Sequence, residues 1–395
     1  MHEHELISER AKSLEPSMTL EINALAMSLK KEGKDICSLS AGEPDFQTPD
    51  FIVEAAIKAL RDGITRYGPS AGDPELRQAI AKKVSDTNNF PTTEENVLIT
   101  NGGKQAIFNL FQVILNKGDE VIIPSPYWLS YPAMAKLAGA VPKTVMTAPK
   151  DGFKLNLQKL ESQISTKTKL LIINSPANPT GRVMQKEELN GIADILRKHP
   201  HVSIMSDEIY EFLISKEQIH HSIGAIAPDL QKRIFIVNGF AKGWAMTGWR
   251  VGYLVGPRNV IRKSIALQSQ STSNVCSFAQ KGALAAMLGP KESVQAMATS
   301  YNERREVLTN GLTEIDGLTL MPQKGAFYAF PELPESCPDS ISFCKLALEK
   351  ENLAIVPGIA FGNDRCVRLS CAASLRTIDT GITRLKNLIK KISLN

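Results

Sequence analysis

The chain has 395 residues, of which 43% are hydrophobic and 22% charged, and its formal net charge is +5 at pH 7. This composition is typical of a folded globular protein and argues against extensive disorder. The basic residues are scattered, which argues against a nucleic-acid-binding surface. The sequence shows no apolar leader and no apolar run of 18 or more residues. We therefore expect a cytoplasmic protein without a signal peptide or a membrane span.

The cysteines and histidines do not form a recognisable metal-binding or catalytic pattern. None of the six cysteines has a Cys-x-x-Cys partner, so reduced and mostly structural thiols are expected. His220 and His221 are adjacent rather than at the spacing of helical metal ligands, and no histidine falls within the motifs described below. Neither a metal site nor a Ser/His/Asp triad is predicted.

Taken in chain order, the apolar patterns predict helices and short strands that alternate from residue 96 onward. Before that point we expect a helix over 20–31, a strand over 36–40, a helix over 49–61 and a helix that opens at Pro74. The alternating part has predicted helices at 106–115 and 186–198 and predicted strands at 96–100, 120–123, 169–173, 202–205, 233–237 and 251–256. This alternation predicts an α/β fold with a mostly parallel sheet covered by helices on both faces.

After Gly289 the pattern changes to that of a smaller α+β unit. We expect helices at 291–315, 340–349 and 379–392, and strands at 353–356 and 366–369; the first helix leads to the apolar runs 318–321 and 325–330. The first 45 residues are too few to fold alone, so they are expected to join this unit. The predicted domains are a large one over 46–289 and a small one made of 1–45 and 290–395.

Unusual residues follow the predicted strands, at the sheet edge where α/β proteins bind ligands. Gly102 and Gly103 precede a predicted helix, whose free N–H groups and dipole favour a phosphate. Arg250 can add a bidentate phosphate contact. Neither Gly-x-x-x-x-Gly-Lys nor Gly-x-Gly-x-x-Gly occurs, so a nucleotide-binding loop is not predicted. Trp128 offers a flat face on which an aromatic ring can stack.

The remaining groups suit a ligand with a basic ring nitrogen, a phenolic oxygen and an aldehyde. Asp207 follows a buried strand, and its ionised form would be stabilised by a cation such as a pyridinium nitrogen. Asn178 and Tyr210 can form hydrogen bonds with a phenolic oxygen. Lys242 stands at the end of an apolar strand, where partial desolvation frees the amine for reaction with an aldehyde. Together these features predict pyridoxal 5′-phosphate as the cofactor.

Each of these residues also has a plain structural explanation. Asp207 could cap a helix, and Trp128 could belong to the hydrophobic core. Gly102 could mark only a tight turn. Arg250 and Arg368 could pair with surface carboxylates, as exposed arginines often do.

Nine runs of residues in family order make the chain resemble a class I aminotransferase of the fold-type I pyridoxal-phosphate family, and the bacterial-type aspartate aminotransferases in particular. The resemblance covers nearly the whole chain. It rests on the runs 40–46, 67–76, 101–106, 124–131, 174–181, 206–210, 238–253, 325–328 and 367–370.

The resemblance implies a role for each cofactor-binding residue. Lys242 would bind the cofactor aldehyde covalently and move the substrate proton, with Asp207 and Tyr210 completing the catalytic group. Asp207 would pair with the ring nitrogen and Trp128 would stack on the ring. The phenolic oxygen would be bound by Asn178 and Tyr210, and the phosphate by Gly103, Lys104, Arg250 and Tyr67. Tyr67 would come from the other subunit of a homodimer; alternatively it is a partly buried loop residue.

The resemblance also implies substrate contacts, some of them made by the cofactor-binding residues. Arg368 would bind the substrate α-carboxylate, helped by the backbone of Gly42 and by Trp128 and Asn178. Lys104 would also meet the distal carboxylate of aspartate or glutamate, and the segment 17–19 would close over it. Specificity would depend on contacts around Lys104, Thr19 and the loop 269–274, which would come from the partner subunit.

The implied activity is transamination between aspartate and 2-oxoglutarate by a ping-pong mechanism. Three departures from the family pattern, at Ala241, Trp244 and Cys371, remove no catalytic group. Glu15 is acidic where relatives that use prephenate tend to carry a basic residue, which argues against prephenate. Aromatic, alanine or prephenate specificity, or a lyase or decarboxylase reaction on the same fold, stay open. A non-catalytic regulator is the least favoured alternative, because there is no room for a DNA-binding module before Ser40.

Overall fold

The computed structural model describes residues 6–12, 14 and 18–394. The described strands are β1 Cys37–Ser38, β2 Val97–Thr100, β3 Glu120–Ser125, β4 Val141–Met146, β5 Thr168–Asn174, β6 Ser203–Asp207, β7 Ile234–Gly239, β8 Gly252–Val255, β9 Tyr328–Ala329, β10 Leu353–Ala354, β11 Val356–Pro357 and β12 Val367–Ser370. The described α-helices are α1 Glu9–Lys12, α2 Met18–Lys31, α3 Asp50–Arg61, α4 Pro74–Thr87, α5 Gly102–Ile114, α6 Ser130–Leu137, α7 Leu157–Gln163, α8 Lys186–Lys198, α9 Ile223–Ile226, α10 Arg258–Ser269, α11 Ser277–Leu288, α12 Glu292–Thr313, α13 Ser340–Glu351 and α14 Leu375–Ser393.

A seven-stranded sheet forms the centre of the chain, in the order β2-β8-β7-β6-β5-β3-β4. Strands β4, β3, β5, β6 and β7 run parallel, whereas β8 is antiparallel to both β7 and β2. The predicted mostly parallel sheet is therefore confirmed. Because β3, β5, β6 and β7 run in one direction, their carboxyl ends meet at one edge of the sheet.

Both faces of this sheet are buried, which is why its inner strands are almost continuously apolar. Successive residues of β7 point to opposite faces: Ile236 belongs to one hydrophobic cluster and Val237 to another. Residues of α3, α4, α8 and α11 pack in the first cluster, and residues of α5, α6 and α10 pack in the second. Helices on both faces hold the strand ends in fixed positions.

The N-terminal segment joins the C-terminal part of the chain. Strand β1 pairs in parallel with β10, and β11, β12 and β9 form a separate antiparallel sheet. A third hydrophobic cluster lies here and includes the fully buried rings of Tyr301, Phe327 and Phe343. Tyr210, in the turn after β6, also enters this cluster. The pairing agrees with the expected small domain, while its limits at residues 45 and 289 stay a prediction.

Some predicted elements differ from the structure. The run 318–321 forms only the isolated bridge between Thr319 and Glu332. The strand expected at 353–356 is two short strands, because β10 pairs with β1 and β11 pairs with β12. Strand β4 at the sheet edge and helices α6, α7, α10 and α11 were not predicted. No helix in the described ranges is both long and apolar enough to cross a bilayer.

Candidate active site

The carboxyl ends of β5, β6 and β7 and the first turn of α5 open onto a cavity of about 610 Å³. The structure brings together at this cavity every predicted site residue except Tyr67. The residues concerned are Gly42, Gly103, Lys104, Trp128, Asn178, Asp207, Tyr210, Lys242, Arg250 and Arg368. They come from seven of the runs that carry the family resemblance, so the shared cavity is a property of the fold.

Lys242 lies in the turn after β7 and directs its amine into the cavity. Its Nζ donates a hydrogen bond of 2.6 Å to the carbonyl oxygen of Gly42. The same Nζ lies 5.7 Å from the ring centroids of Tyr210 and Phe327. Burial lowers the Lys242 pKa to about 8, because the apolar surroundings disfavour the ammonium form. Roughly a tenth of the amine is therefore unprotonated at pH 7 and able to act as a nucleophile, far more than for a lysine with the ordinary pKa.

Asp207 is the last residue of β6, and its carboxylate is only 6% exposed. Its Oδ2 accepts a hydrogen bond of 2.6 Å from the Tyr131 hydroxyl, and its Oδ1 accepts one of 3.3 Å from the Ile209 N–H. Burial raises the Asp207 pKa to about 6. A turn rather than a helix follows, so the helix-cap alternative is wrong. A buried carboxylate at a cavity wall is suited to a cationic ring nitrogen.

Arg368 on β12 is a buried cation that lines the same cavity. Its Nη1 donates to Asn178 Oδ1 at 3.2 Å, and its Nη2 donates to the carbonyl oxygen of Ser40 at 3.0 Å. Its Nε is buried and has no hydrogen-bond partner among the described residues. The guanidinium lies 4.5 Å from the ring centroid of Tyr328. Within the described ranges it pairs with no carboxylate, which leaves it available for a substrate carboxylate.

Tyr210 and Tyr328 connect the ring-binding side of the cavity with Arg368. Their hydroxyl oxygens are 3.0 Å apart, and both side chains are buried. Burial raises the Tyr210 pKa well above its ordinary value, so the hydroxyl stays protonated and can donate to an oxygen in the cavity.

Lys104 and Arg250 form a second cationic group at the first turn of α5. Arg250 donates from Nη1 to the Thr247 carbonyl oxygen at 2.8 Å and from Nη2 to the Asn101 carbonyl oxygen at 3.2 Å. Its φ of 57° is unusual for an arginine. Burial and the nearby Arg250 lower the Lys104 pKa. No described carboxylate pairs with either cation, so the group suits an anion at a helix N-terminus.

The close approach at this turn requires glycine. A Cβ atom added to Gly102 would lie 2.7 Å from Arg250 Nη2, and the φ of Gly102 is +77°. A Cβ on Gly252 of β8 would lie 2.5 Å from backbone atoms of Gly102 and Gly103. These contacts place the N–H groups of α5 beside the two cations, which explains the run of glycines in the sequence.

Three known-protein comparisons bear on this geometry. The family profile for aminotransferase class I and II matches residues 34–385. The chain is 42% identical to the probable aspartate/prephenate aminotransferase of Rickettsia felis, over 98% of each chain. It is also 42% identical to the aspartate aminotransferase of Bacillus subtilis, over 98% of this chain and 100% of the relative. The chain belongs to the class I and II aminotransferase family.

Solved structures agree with this assignment. The aspartate aminotransferase of Thermus thermophilus, whose structure was solved with maleate, is 41% identical and has a TM-score of 0.93 over 97% of this chain and 99% of its own. The aspartate aminotransferase of Rhizobium meliloti is 34% identical and has the same TM-score of 0.93, over 97% and 98%. The resemblance predicted from the sequence is thus confirmed, and so is the α/β fold of the fold-type I aminotransferases.

Aminotransferases of this family use pyridoxal 5′-phosphate, and the residues present fit that cofactor. The cationic group at α5 suits its phosphate, Asp207 its ring nitrogen, and Tyr210 with Asn178 its phenolic oxygen. Lys242 is a partly desolvated amine between them. The predicted cofactor is confirmed by membership of the family, and the roles of individual residues stay predictions.

Some expectations fall outside this cavity. Tyr67 is 93% exposed, and the cavity of its own chain does not include it. Its predicted role in a partner's site stays a prediction. Glu15 and Ser17, and the side chain of Thr19, lie outside the described residues.

The structure adds residues that sequence reasoning did not assign. Tyr131 and Tyr328 line the cavity and contact Asp207 and Tyr210, respectively. Both fall within runs that carry the family resemblance, and that was the available signal. Glu43 also lines the cavity, and its carboxylate accepts a hydrogen bond of 2.8 Å from the Thr247 hydroxyl.

A charged cluster lies behind Asp207, within the protein. Lys83 Nζ lies 2.6 Å from Glu211 Oε2, and His220 Nε2 lies 3.3 Å from Glu208 Oε2. Burial would lower the His220 pKa, but the adjacent Glu208 raises it overall, which favours the imidazolium. Glu208, Glu211 and His220 are close enough to share a metal ion, yet two cations already oppose the two carboxylates. The absence of a metal site stays a prediction.

Proposed function

We propose that this aminotransferase exchanges amino groups between aspartate and 2-oxoglutarate. The observation that carries the proposal is that two cationic groups line one cavity, Arg368 and the pair formed by Lys104 and Arg250. Two carboxylates of one substrate and the cofactor phosphate need such a distribution of charge. The names of the relatives support it, since all those cited above are aspartate or aspartate/prephenate aminotransferases.

The bound cofactor supplies a ring that accepts electrons from the substrate Cα. The protein's own groups bind and orient the reactants around it. Arg368 binds the α-carboxylate with a planar fork of N–H donors, and Asn178 holds that fork in place through the 3.2 Å hydrogen bond to Nη1. Lys104 meets the distal carboxylate.

Lys242 carries the proton that moves during the reaction. Its amine is held at the Gly42 carbonyl, and burial places its pKa at about 8. An amine with this pKa can take a proton from the substrate Cα and return it near neutral pH. Asp207 would pair its carboxylate with the ring nitrogen, and Tyr210 would donate a hydrogen bond to the phenolic oxygen. Trp128 stacks against the ring face.

The activity is tested by incubating the protein with pyridoxal 5′-phosphate, aspartate and 2-oxoglutarate and measuring glutamate. We expect glutamate to form in equal amount to oxaloacetate, with ping-pong kinetics. Lys242→Ala should abolish turnover and leave the unfolding temperature of the apoprotein nearly unchanged. Transamination by that variant at the wild-type rate would contradict the assignment.

The same assay separates the alternatives. Ammonia release without an oxo acid would indicate a lyase, and loss of carbon dioxide would indicate a decarboxylase. A panel of aromatic amino acids, alanine and prephenate tests the specificity. The Rickettsia relative's name favours including prephenate, whereas Glu15 leads us to expect a much lower kcat/KM for prephenate than for oxaloacetate. Glu15→Lys should narrow that difference.

The assembly we propose is a homodimer with shared active sites, located in the cytoplasm. Its ligands are small amino and oxo acids, and we expect no nucleic acid or membrane partner. The exposure of Tyr67 supports the dimer, because a large aromatic side chain that is 93% exposed in one chain is suited to burial against another.

A further inference from the structure

Tyr131 is the side chain that holds the Asp207 carboxylate. It lies in the first turn of α6, and its ring is 1% exposed. Its hydroxyl donates the 2.6 Å hydrogen bond to Asp207 Oδ2, a distance typical of a hydroxyl bound to an ionised carboxylate. The other carboxylate oxygen accepts only the longer bond of 3.3 Å from the Ile209 N–H. The hydroxyl of Tyr131 is therefore the stronger of the two described contacts that orient this carboxylate.

Tyr131 also contacts Trp128, the residue expected to stack on the cofactor ring. The two rings meet edge to face, with centroids 5.3 Å apart and planes at 84°. The Tyr131 N–H in addition donates to the Trp128 carbonyl oxygen at 3.0 Å. One residue thus touches both the group that faces the ring nitrogen and the group that faces the ring plane.

We propose that Tyr131 is a positioning residue for cofactor binding, whose hydroxyl fixes the orientation of Asp207 and stabilises the carboxylate that would pair with the ring nitrogen. This inference rests on the proposed function. It goes beyond that function because it attributes the ionised state of Asp207 to one hydrogen-bond donor, the Tyr131 hydroxyl, on a different element.

The electrostatic surroundings of Asp207 explain why a donor is needed. Burial raises its pKa, and the neighbouring Glu208 raises it further, whereas Tyr131 and Lys242 lower it. Tyr210 also faces this carboxylate. The net pKa is about 6, so the carboxylate is ionised at neutral pH by a narrow margin. Loss of the Tyr131 hydroxyl removes a stabilising contact from the charged form, and the neutral acid then persists to higher pH.

The test compares Tyr131→Phe with Tyr127→Phe. Tyr127 lies in the connection between β3 and α6, just before the helix that carries Tyr131. Its hydroxyl has no hydrogen-bond partner among the described residues. Each substitution removes one oxygen atom and keeps the ring, and thermal unfolding of the apoproteins checks that both fold. The measurement is the equilibrium dissociation constant of pyridoxal 5′-phosphate, by equilibrium dialysis at several values between pH 6 and 9.

We expect Tyr131→Phe to weaken cofactor binding by about tenfold or more near pH 6.5, the effect of losing a hydrogen bond to a charged group. The loss should shrink toward pH 9, where Asp207 is ionised even without the donor. Tyr127→Phe should stay within about twofold of the wild type at every pH. In an Asp207→Asn background, Tyr131→Phe should change the constant by less than about twofold, because the partner charge is gone.

The outcomes separate this inference from the proposed function. A wild-type protein that does not bind the cofactor would contradict the proposed function. A wild-type protein that binds it, with Tyr131→Phe equal to Tyr127→Phe at every pH, would overturn the role of Tyr131 alone. A loss in Tyr131→Phe that is the same at all pH values, and persists in the Asp207→Asn background, would show a merely structural role and would also overturn it.

Discussion

At the residue scale, the chemistry of this protein depends on burial acting in opposite directions on two groups. The same desolvation lowers the pKa of Lys242 to about 8 and raises that of Asp207 to about 6. Both shifts favour the neutral form of an isolated group. The amine is thereby prepared to react, while the carboxylate is ionised at neutral pH by a narrow margin, with the Tyr131 hydroxyl as its shorter described hydrogen-bond contact.

The shift at Lys242 gives a direct prediction for the apoprotein. Acylation of Lys242 by acetic anhydride, followed peptide by peptide by mass spectrometry, should rise with pH and reach half of its maximal rate near pH 8. The unprotonated amine is the reactive form, and exposed lysines should follow near the ordinary pKa of about 10.4. A midpoint for Lys242 at or above that of the surface lysines would contradict the effect of burial.

Contacts between individual side chains could not all be predicted from the sequence. Lys242 and Asp207 could be proposed because each stands at the end of a predicted strand, and parallel strands of an α/β sheet end at a common edge. Arg368 could be proposed only from the family resemblance. The contact between Tyr131 and Asp207 joins positions 76 residues apart. It depends on where α6 packs, and no local pattern in the sequence encodes that. The charged cluster of Lys83, Glu211, Glu208 and His220 was missed for the same reason.

At the element scale, the anion-binding turn depends on how closely β8 approaches α5. Sequence analysis predicted that the glycines before α5 bind a phosphate, and it predicted the strand after Arg250. It could not show that β8 runs antiparallel between β2 and β7 and so presses Gly252 against Gly102. Edge strand β4 was missed because it carries Pro142 and Lys143 and is largely exposed, which removes the apolar signal.

Gly252→Ala tests how closely β8 packs against α5. The added Cβ would lie 2.5 Å from the backbone of Gly102 and Gly103, and backbone must move to relieve the contact. We expect a loss of about 1–3 kcal/mol in the free energy of unfolding, together with weaker binding of pyridoxal 5′-phosphate. Urea unfolding of the apoprotein at fixed protein concentration measures the first effect.

The matched control is Gly248→Ala, four residues earlier, where an added Cβ meets no atom within 4 Å. Its unfolding free energy should stay within about 0.5 kcal/mol of the wild type. Equal stability of the two variants would show that the β8–α5 contact is not as tight as the structure places it.

At the scale of the whole molecule, the fold was predictable because the alternation of strands and helices fixes a parallel sheet and its ligand edge. The pairing of β1 with β10 also agrees with the expected union of the two ends of the chain. The oligomeric state could not be predicted from the pattern of strands and helices. Tyr67 belongs to a family motif, but it is exposed and outside the cavity of its own chain.

Mixed dimers test whether active sites are shared. We expect Lys242→Ala to be inactive and Tyr67→Ala to bind the cofactor weakly and turn over slowly. If Tyr67 serves the partner's site, co-refolding the two variants creates heterodimers with one intact site. Activity should then recover to about a quarter of the wild type, from random pairing in a twofold dimer.

Co-refolding of Lys242→Ala with the wild type provides the control for subunit exchange. The mixture of Tyr67→Ala and Lys242→Ala is first checked for heterodimers by mass. If heterodimers are present and the activity only equals the mean of the separate variants, a shared site is contradicted.

The central claim is that the amine of Lys242 joins this protein to its cofactor. The most direct measurement is borohydride reduction of the protein with pyridoxal 5′-phosphate, followed by peptide mass spectrometry. We predict one phosphopyridoxyl group per chain, on the peptide that contains Lys242, and none in Lys242→Ala. A modification confined to another lysine, such as Lys104, or the absence of any reducible adduct, would contradict the account.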